Sequence, residues 1–183
     1  NRAINGGGVA CSLSKNTKLI KNTIMNNIGA KGGGALAVTN GSSPILNSSI
    51  LYGNSPNEVA LTGLPNNQRN TIRVSYSNIK DGKDGVNIYT YYGGFMEIKN
   101  DNDSLVVWDD TNIDTENNVL SVQNNEWNLR ADSPLINKGN PDLDGDGITW
   151  ETDIDDQDPD GSRLDIGAIP YSQDGALAFS DHP

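Results

Sequence analysis

The chain has 183 residues, a formal net charge of −11 and 34% hydrophobic residues. This length is sufficient for one domain with a buried core, and the negative charge argues against nucleic acid as a partner, because phosphate backbones would be repelled. The sequence lacks an apolar run of roughly 18 residues, so we expect no membrane insertion. The single cysteine, Cys11, cannot form an intrachain disulfide and is expected to be a small buried hydrophobe.

The first part of the chain contains a repeat. Residues 6–31 (GGGVACSLSKNTKLIKNTIMNNIGAK) and 32–57 (GGGALAVTNGSSPILNSSILYGNSPN) have equal length and begin with three glycines, and a looser third copy, EVALTGLPNNQRNTIRVSYSNIKDG, follows. Short strand-like runs broken by Gly, Asn and Ser bury an apolar face only by stacking on further copies. The repeat therefore predicts a parallel β-helix, with a β-sandwich as the alternative. Its expected coil-to-coil neighbours are Gly8 with Gly34, Val9 with Ala35, and Ile24 with Ile50.

These motifs resemble the coils of bacterial right-handed parallel β-helix repeat proteins. The segment IRVSYSNIKDG is similar to the last coil of that family, NIDTENNVLSVQNNEWNLRADSPLINKGNPD to the segment after it, and TDIDDQDPDGSRLDIGAIPY to the terminal strand region. The resemblance implies an all-β, right-handed parallel β-helix and the C-terminal part of a longer, secreted or surface-displayed protein. It implies no single activity, because such proteins include polysaccharide lyases, adhesins and surface proteins of other roles.

One segment departs from the family pattern. Similar proteins have few residues between the pieces that resemble SNIKDG and NID, whereas 29 residues lie between Gly82 and Asn112 here. Within them, VNIYTYY-GG-FMEIK predicts a β-hairpin with a two-residue glycine turn. We therefore expect five regions: β-helix coils at 1–85, a β-hairpin insertion at 86–111, a last coil or capping segment at 112–141, an acidic calcium-binding loop and terminal strand at 142–171, and a tail at 172–183.

An acidic stretch near the C-terminus predicts a calcium site. Asp142-x-Asp144-x-Asp146-Gly147 matches the opening of a calcium loop, in which alternate carboxylates point at one centre and glycine permits the sharp bend. Pro141 argues against the flanking helices of an EF-hand. A second run, Asp156-x-Asp158-x-Asp160-Gly161, allows one shared site or two adjacent sites, and a solvated acidic turn is the alternative. The predicted Ca²⁺ ligands are Asp142, Asp144, Asp146, the Ile148 carbonyl, Asp153, Asp156, Asp158, Asp160 and Asp165.

Aromatic residues concentrate in the predicted hairpin and just after it. Exposed rings stack on the apolar faces of sugars, so a glycan-binding surface is one interpretation; packing of the hairpin onto the body is the other. The predicted ligand-binding residues are Tyr89, Tyr91, Tyr92, Phe95 and Trp108.

Candidate catalytic residues are few. The only histidine is His182, which excludes a histidine-based triad within this chain. The resemblance implies a Lys or Arg base in a lyase, and Lys18, Lys21 and Arg73 lie on predicted strands. They form no basic cluster, so solvated positions on the strand face are the favoured interpretation. Arg163 is expected to pair with a carboxylate near the acidic loop. Whether the protein is an enzyme is left open.

The sequence as a whole predicts a calcium-stabilised scaffold or binding module for glycans, located outside the cell or on the bacterial surface. Calcium is expected to have a structural role at the end of the β-helix. The alternative is a polysaccharide lyase whose active site lies in preceding coils. Exposed aromatics without a basic cleft would favour the binding module, and strand-borne Lys or Arg beside acidic groups would favour the lyase. A purely structural stalk, the third alternative, would have neither feature.

Overall fold

The computed structural model describes residues 1–63, 69–92, 95–98, 105–115, 120–123 and 126–172. Their regular structure is almost entirely β, apart from two short 3₁₀ helices, Gly82–Gly85 and Ile154–Asp156. None of the helices in these ranges is long and apolar enough to cross a membrane. The strands are β1 (Arg2–Ala3), β2 (Val9–Ser12), β3 (Lys15–Ile20), β4 (Thr23–Met25), β5 (Ile28–Gly29), β6 (Leu36–Thr39), β7 (Ser43–Asn47), β8 (Ile50–Tyr52), β9 (Val59–Gly63), β10 (Ile72–Ser75), β11 (Asn78–Ile79), β12 (Val86–Tyr92), β13 (Phe95–Ile98), β14 (Val106–Trp108), β15 (Leu120–Gln123) and β16 (Glu126–Leu129).

The strands form a parallel β-solenoid of about three turns. Strands β2, β6, β9 and β12 pair in parallel and make the first sheet. Strands β3, β7, β10 and β14 make the second sheet, and β4, β8 and β11 make the third. Each turn of the chain therefore contributes one strand to each sheet, which confirms the parallel β-solenoid expected from the repeat.

The core consists of rows of apolar side chains stacked along the solenoid. In the first sheet, Cys11, Val38, Leu61 and Ile88 lie in register on successive turns. The second sheet contributes the row Leu19, Leu46, Val74 and Trp108, and the third contributes Ile24, Leu51 and Ile79. These residues belong to one hydrophobic cluster, so stacking buries what a single turn could not.

The predicted register is wrong by one residue. Val9 pairs with Leu36 instead of Ala35, and Ile24 pairs with Leu51 instead of Ile50. The predicted repeat aligned the glycine runs at a spacing of 26 residues. The residues that pair between β2 and β6, and between β4 and β8, are 27 positions apart. Because successive side chains on a strand point to opposite faces, this shift changes which residues enter the core. Leu51 lies in the core, and Ile50 faces outward.

Polar side chains connect the turns at the corners of the solenoid. The backbone N–H of Asn22 donates to Ser49 Oγ at 3.0 Å, that of Ser49 to Ser77 Oγ at 3.1 Å, and that of Ser77 to Asn112 Oδ1 at 3.0 Å. Each side chain thus satisfies a backbone donor of the preceding turn, where strand pairing is interrupted. These hydrogen bonds explain why Ser and Asn recur between the short strands.

The predicted insertion, residues 86–111, includes strands of the solenoid. Val86–Thr90 of β12 pair in parallel with β9, and β14 pairs in parallel with β10. Strand β12 also pairs antiparallel with β13, through Tyr89–Tyr92 and Phe95–Ile98. The predicted turn residues, Gly93 and Gly94, and the tail with His182 lie outside the described residues.

A C-terminal segment, residues 133–171, packs on the outer face of the third sheet. Ile50 points outward from β8 and contacts a second apolar cluster with Leu135 and Ile166. Backbone bonds such as Gly139 N to the Leu164 carbonyl and Ile166 N to the Leu135 carbonyl hold the segment together, and Gly167 N donates to the Ser48 carbonyl of the solenoid. We call this segment the strap.

Candidate metal centre

The first half of the acidic stretch folds into a tight loop. Asp142 accepts hydrogen bonds from the backbone N–H groups of Gly145 and Gly147, at 2.8 and 3.1 Å. Both glycines have positive φ, +84° and +88°, which other residues rarely adopt. Carboxylate oxygens of Asp142, Asp144 and Asp146 lie within 4.8 Å of one another. The loop therefore has the predicted arrangement, although its exposed carboxylates alone do not indicate a ligand.

A second group of carboxylates brings in a buried residue. Oxygens of Asp144, Asp153 and Asp156 also lie within 4.8 Å of one another. Asp156 is fully buried, and its Oδ1 accepts a hydrogen bond from Leu143 N at 2.7 Å. Its Oδ2 is buried and has no hydrogen-bond partner among the described residues. A buried carboxylate oxygen without a partner is costly, and a cation is one group that would satisfy it.

The charges around Asp156 add to this cost. Burial is the main cause that raises the pKa of the Asp156 carboxyl, and the negative charges of Asp153, Asp144 and Asp142 raise it further. The N–H of Leu143 acts in the opposite direction. A divalent cation between these groups would reverse the electrostatic balance, because each carboxylate would then have an opposite charge beside it.

The other predicted ligands bind protein groups. Asp158 accepts from Lys21 Nζ at 2.9 Å and from Asp165 N at 2.7 Å. Asp165 in turn accepts from Asn137 N and Tyr171 N, both at 2.6 Å. Burial raises the pKa of Asp165 to about 6, although these two N–H donors oppose the shift. Asp158 and Asp165 thus bind Lys21 of the solenoid and backbone groups of the C-terminal segment, and they do not belong to the two acidic groups. The predicted terminal strand is not among the strands of the structure, which end at β16 in the described residues.

Two remaining members of the predicted set lie at the surface of the strap. Asp160 Oδ1 accepts from the backbone N–H and hydroxyl of Ser162. Ile148 is exposed, and its N–H donates to Asp146 Oδ1 at 2.7 Å. The structure thus brings together Asp142, Asp144, Asp146, Asp153 and Asp156.

The predicted aromatic surface is described only in part. Tyr89 is buried, and its ring lies beside Gly32, where an added Cβ would meet it at 3.2 Å. Trp108 is half-buried and packs against the core at the last position of the second-sheet row. The side chains of Tyr91, Tyr92 and Phe95 lie outside the described residues. The two described rings therefore contribute to packing.

The basic residues have separate surroundings. Lys18 and Arg73 are exposed on the second sheet, where both lie in register with Ile45 of the turn between them. Lys21 forms the ion pair with Asp158 described above. The sequence predicts a carboxylate partner for Arg163. Its Nε donates to the carbonyl of Gly139 at 2.8 Å, its guanidinium lies over the ring of Tyr76, and its positive charge is one of the smaller causes that lower the pKa of Glu151.

Sequence reasoning missed a set of corner residues that hold the strap. Lys21, Ser48 and Tyr76 occupy equivalent positions on three successive turns, and all have positive φ, +52°, +49° and +47°. Residues other than glycine rarely adopt this conformation. Their spacing of about one turn was a signal in the sequence, but their chemically different side chains share no visible motif.

Comparisons with protein-family models, with characterised protein sequences and with solved structures each found no match.

Proposed function

We propose that this chain is the C-terminal part of an extracellular or surface-displayed bacterial right-handed β-helix protein, and that it acts as a calcium-stabilised scaffold. The ion would be held by Asp144, Asp153 and Asp156, with Asp142 and Asp146 beside them. The observation that carries the proposal is the buried carboxylate of Asp156, which belongs to a converging group of carboxylates and whose Oδ2 lacks a hydrogen-bond partner among the described residues. Calcium takes roughly six to eight oxygen ligands in flexible geometry, and water would complete such a shell.

An extracellular location agrees with the character of this site. Asp144 and Asp146 are exposed, and we expect a site built partly from exposed carboxylates to bind calcium weakly. Extracellular calcium modules work with dissociation constants of about 10⁻⁴–10⁻³ M, whereas cytosolic sites need far tighter binding. A weak site of this kind is useful only where calcium is abundant.

The described residues favour a scaffold over the other proposed activities. A glycan-binding surface at the hairpin insertion would need exposed rings, and Tyr89 is buried. A lyase would need a base near acidic groups; of Lys18, Lys21 and Arg73, Lys21 contacts a carboxylate, and it is held in the ion pair with Asp158. Glycan binding and the lyase alternative therefore have no support from these contacts.

Calorimetric titration with calcium after treatment with chelator tests the proposal. We expect binding in the range given above, and a loss of affinity of at least about tenfold in Asp156→Asn. Asp155→Asn is the matched control, because it removes the same charge from an exposed neighbour; we expect its affinity to stay within about threefold. Absence of binding heat, together with identical melting curves in chelator and in millimolar calcium, would reject the proposal.

A further inference from the structure

The strap contacts each of the three turns, at equivalent corners of the solenoid. On the first turn, Lys21 Nζ lies 2.9 Å from Asp158 Oδ1. On the second, the hydroxyl of Ser48 accepts from Asn140 N at 2.9 Å, and its carbonyl accepts from Gly167 N at 2.8 Å. On the third, the guanidinium of Arg163 lies 5.9 Å from the centre of the Tyr76 ring. The strap thus crosses the turns and connects parts of the chain that are far apart in sequence.

The contacts with the first turn are the most distant along the chain. Lys21 and Asp158 are 137 residues apart, and a second bond, from Ala168 N to Thr23 Oγ1 at 3.0 Å, spans 145 residues. Asp158 has a side-chain exposure of 1%, so its charge depends on Lys21 and on the N–H of Asp165 for compensation. A buried ion pair of this kind holds its geometry only while the backbone on both sides is fixed.

The carboxylates of the proposed ion site lie on the same short segment as this ion pair. Asp153 caps the 3₁₀ helix Ile154–Asp156 by accepting from Asp155 N at 3.0 Å. Asp156 ends that helix, and Asp158 follows two residues later. The segment then returns through the isolated bridge between Gln157 and Arg163, which places Arg163 near Tyr76. A group that fixes Asp153 and Asp156 therefore also fixes the contacts with the first and third turns.

We propose that calcium controls the attachment of the strap: with the ion bound, residues 133–171 are held across the three turns, and without it the strap detaches while the solenoid stays folded. This inference rests on the proposed function. Its physical reason is the difference between the two parts. The solenoid keeps its backbone pairing and its apolar rows in either condition, whereas the strap would retain a buried carboxylate oxygen without a partner and neighbouring like charges.

Amide hydrogen exchange measured at increasing calcium concentration tests this coupling. The reporting amides are those of Asn140, Gly167 and Ala168, because each donates to an atom of the solenoid. If the ion binds only the attached strap, the protection factors of these amides rise in proportion to the calcium concentration once it exceeds the dissociation constant. At a hundred times the dissociation constant, we expect protection about 100-fold higher than without calcium. Amides of β6 and β7 in the core are expected to change less than about twofold over the same range.

Two lysine variants provide a second arm. Lys21→Met keeps the aliphatic stem and removes the charge that pairs with Asp158, without altering a proposed ligand. We expect the strap amides of this variant to exchange at least about tenfold faster at saturating calcium than those of the unmodified chain. Its calcium affinity, measured by calorimetry, should also be lower, because the ion binds the attached strap. Lys18→Met is the matched control, because Lys18 is exposed on β3, just before Lys21 in the chain. We expect its strap amides and its calcium affinity to match those of the unmodified chain.

The outcomes separate the two proposals. Calcium binding without any change in exchange of the strap amides overturns the strap inference and leaves the calcium site in place. An equal change in the core amides also overturns it, because the ion would then stabilise the fold as one unit. Absence of calcium binding overturns the proposed function and the inference together.

Discussion

The solenoid and the strap are stabilised by different means. In the solenoid, equivalent residues of successive turns meet one another: Leu19, Leu46 and Val74 form a continuous row, and backbone pairing repeats along the same direction. In the strap, unlike groups meet once, as Lys21 and Asp158 do. We therefore expect the solenoid to be tolerant of ions and pH, and we expect the strap, which also packs on the solenoid through Ile50, Leu135 and Ile166, to depend on both. The predictions below test this difference.

The largest expected effect is in the core of the solenoid. Leu46 is fully buried in the middle of its row, so Leu46→Ala removes contacts on three turns at once. We expect a loss of about 2–5 kcal/mol in the free energy of unfolding, measured by chemical denaturation. The loss should be the same in calcium and in chelator. Val107→Ala, on the exposed side of β14, is the control and is expected to cost about 0.5 kcal/mol or less.

The second effect concerns a buried polar group between turns. Asn54 Oδ1 accepts from Asn27 N at 2.8 Å, and its Nδ2 donates to Glu58 Oε2 at 2.6 Å. Asn54→Ala leaves Asn27 and the buried Glu58 without these partners, so we expect a loss of about 1–3 kcal/mol that does not depend on calcium. Ser12→Ala removes the exposed hydrogen bond that Ser12 Oγ accepts from Asn40 Nδ2 of the next turn. This variant should lose about 0.5 kcal/mol or less in the free energy of unfolding. Equal losses in the two variants would contradict the importance of burial here.

The third effect is a pH dependence in the strap. Burial raises the pKa of Asp165 to about 6 in the folded chain, from 3.8 for an ordinary aspartate. The folded state therefore binds the proton more tightly, and this group's contribution to stability falls as pH rises from about 4 through 6. At saturating calcium, we expect the unmodified chain to gain stability relative to Asp165→Asn between pH 7 and pH 5, by on the order of 1–2 kcal/mol.

The comparison with Asp165→Asn isolates the carboxyl group. Asparagine is neutral but has one acceptor oxygen for the two N–H donors of Asn137 and Tyr171, whereas the hydroxyl oxygen of a protonated carboxyl can still accept. This cost of the substitution does not vary with pH, so the pH dependence of the difference reports the carboxyl. Changes in calcium affinity with pH affect both proteins and cancel in the difference. Parallel stability curves for the two proteins from pH 7 to pH 5 would show that Asp165 titrates as an ordinary aspartate.

The solenoid was predictable from the sequence, because its cause is local and repeated. Glycine and asparagine recur at nearly constant intervals, and short apolar runs between them can be buried only by stacking. The register was not predictable to the residue. Alignment of Gly8 with Gly34 gave a repeat that is one residue too short, and only the packing of Leu36 and Leu51 into the core fixes the pairing.

The strap was predictable only in its chemistry. The pattern of Asp142, Asp144 and Asp146 identified an acidic loop, and the structure brings their oxygens close together. Which other carboxylates join them depends on tertiary folding. Asp156 and Asp158 are the first two aspartates of the same acidic run, yet one is buried without a partner for Oδ2 and the other pairs with Lys21. Their different surroundings come from contacts across the whole chain, which short-range patterns do not encode.

The smallest predicted effect compares two serines of the solenoid. Ser48 Oγ accepts from Asn140 N of the strap at 2.9 Å, whereas Ser75 Oγ accepts from Asn47 Nδ2 within the solenoid at 3.1 Å. Each substitution to alanine removes one hydrogen bond worth about 1 kcal/mol. If the strap detaches without calcium, Ser48→Ala should cost about 1 kcal/mol more in calcium than in chelator, whereas the cost of Ser75→Ala should be the same in both.

The cost of each substitution is compared between calcium and chelator, so local effects of the substitution that are the same in both conditions cancel. Ser48 has a positive φ of +49° and also donates to Asn47 Oδ1, and both features persist in either condition. Of the side-chain bonds that Ser48→Ala removes, the one to Asn140 depends on the strap, and the backbone bond from Gly167 N to the Ser48 carbonyl is kept in the variant. Denaturation curves of the unmodified chain and of Ser48→Ala, each in calcium and in chelator, give the four free energies of unfolding that are needed. An equal cost of Ser48→Ala in both conditions would mean that Asn140 stays bound without the ion, and that the strap is as independent of calcium as the turns beneath it.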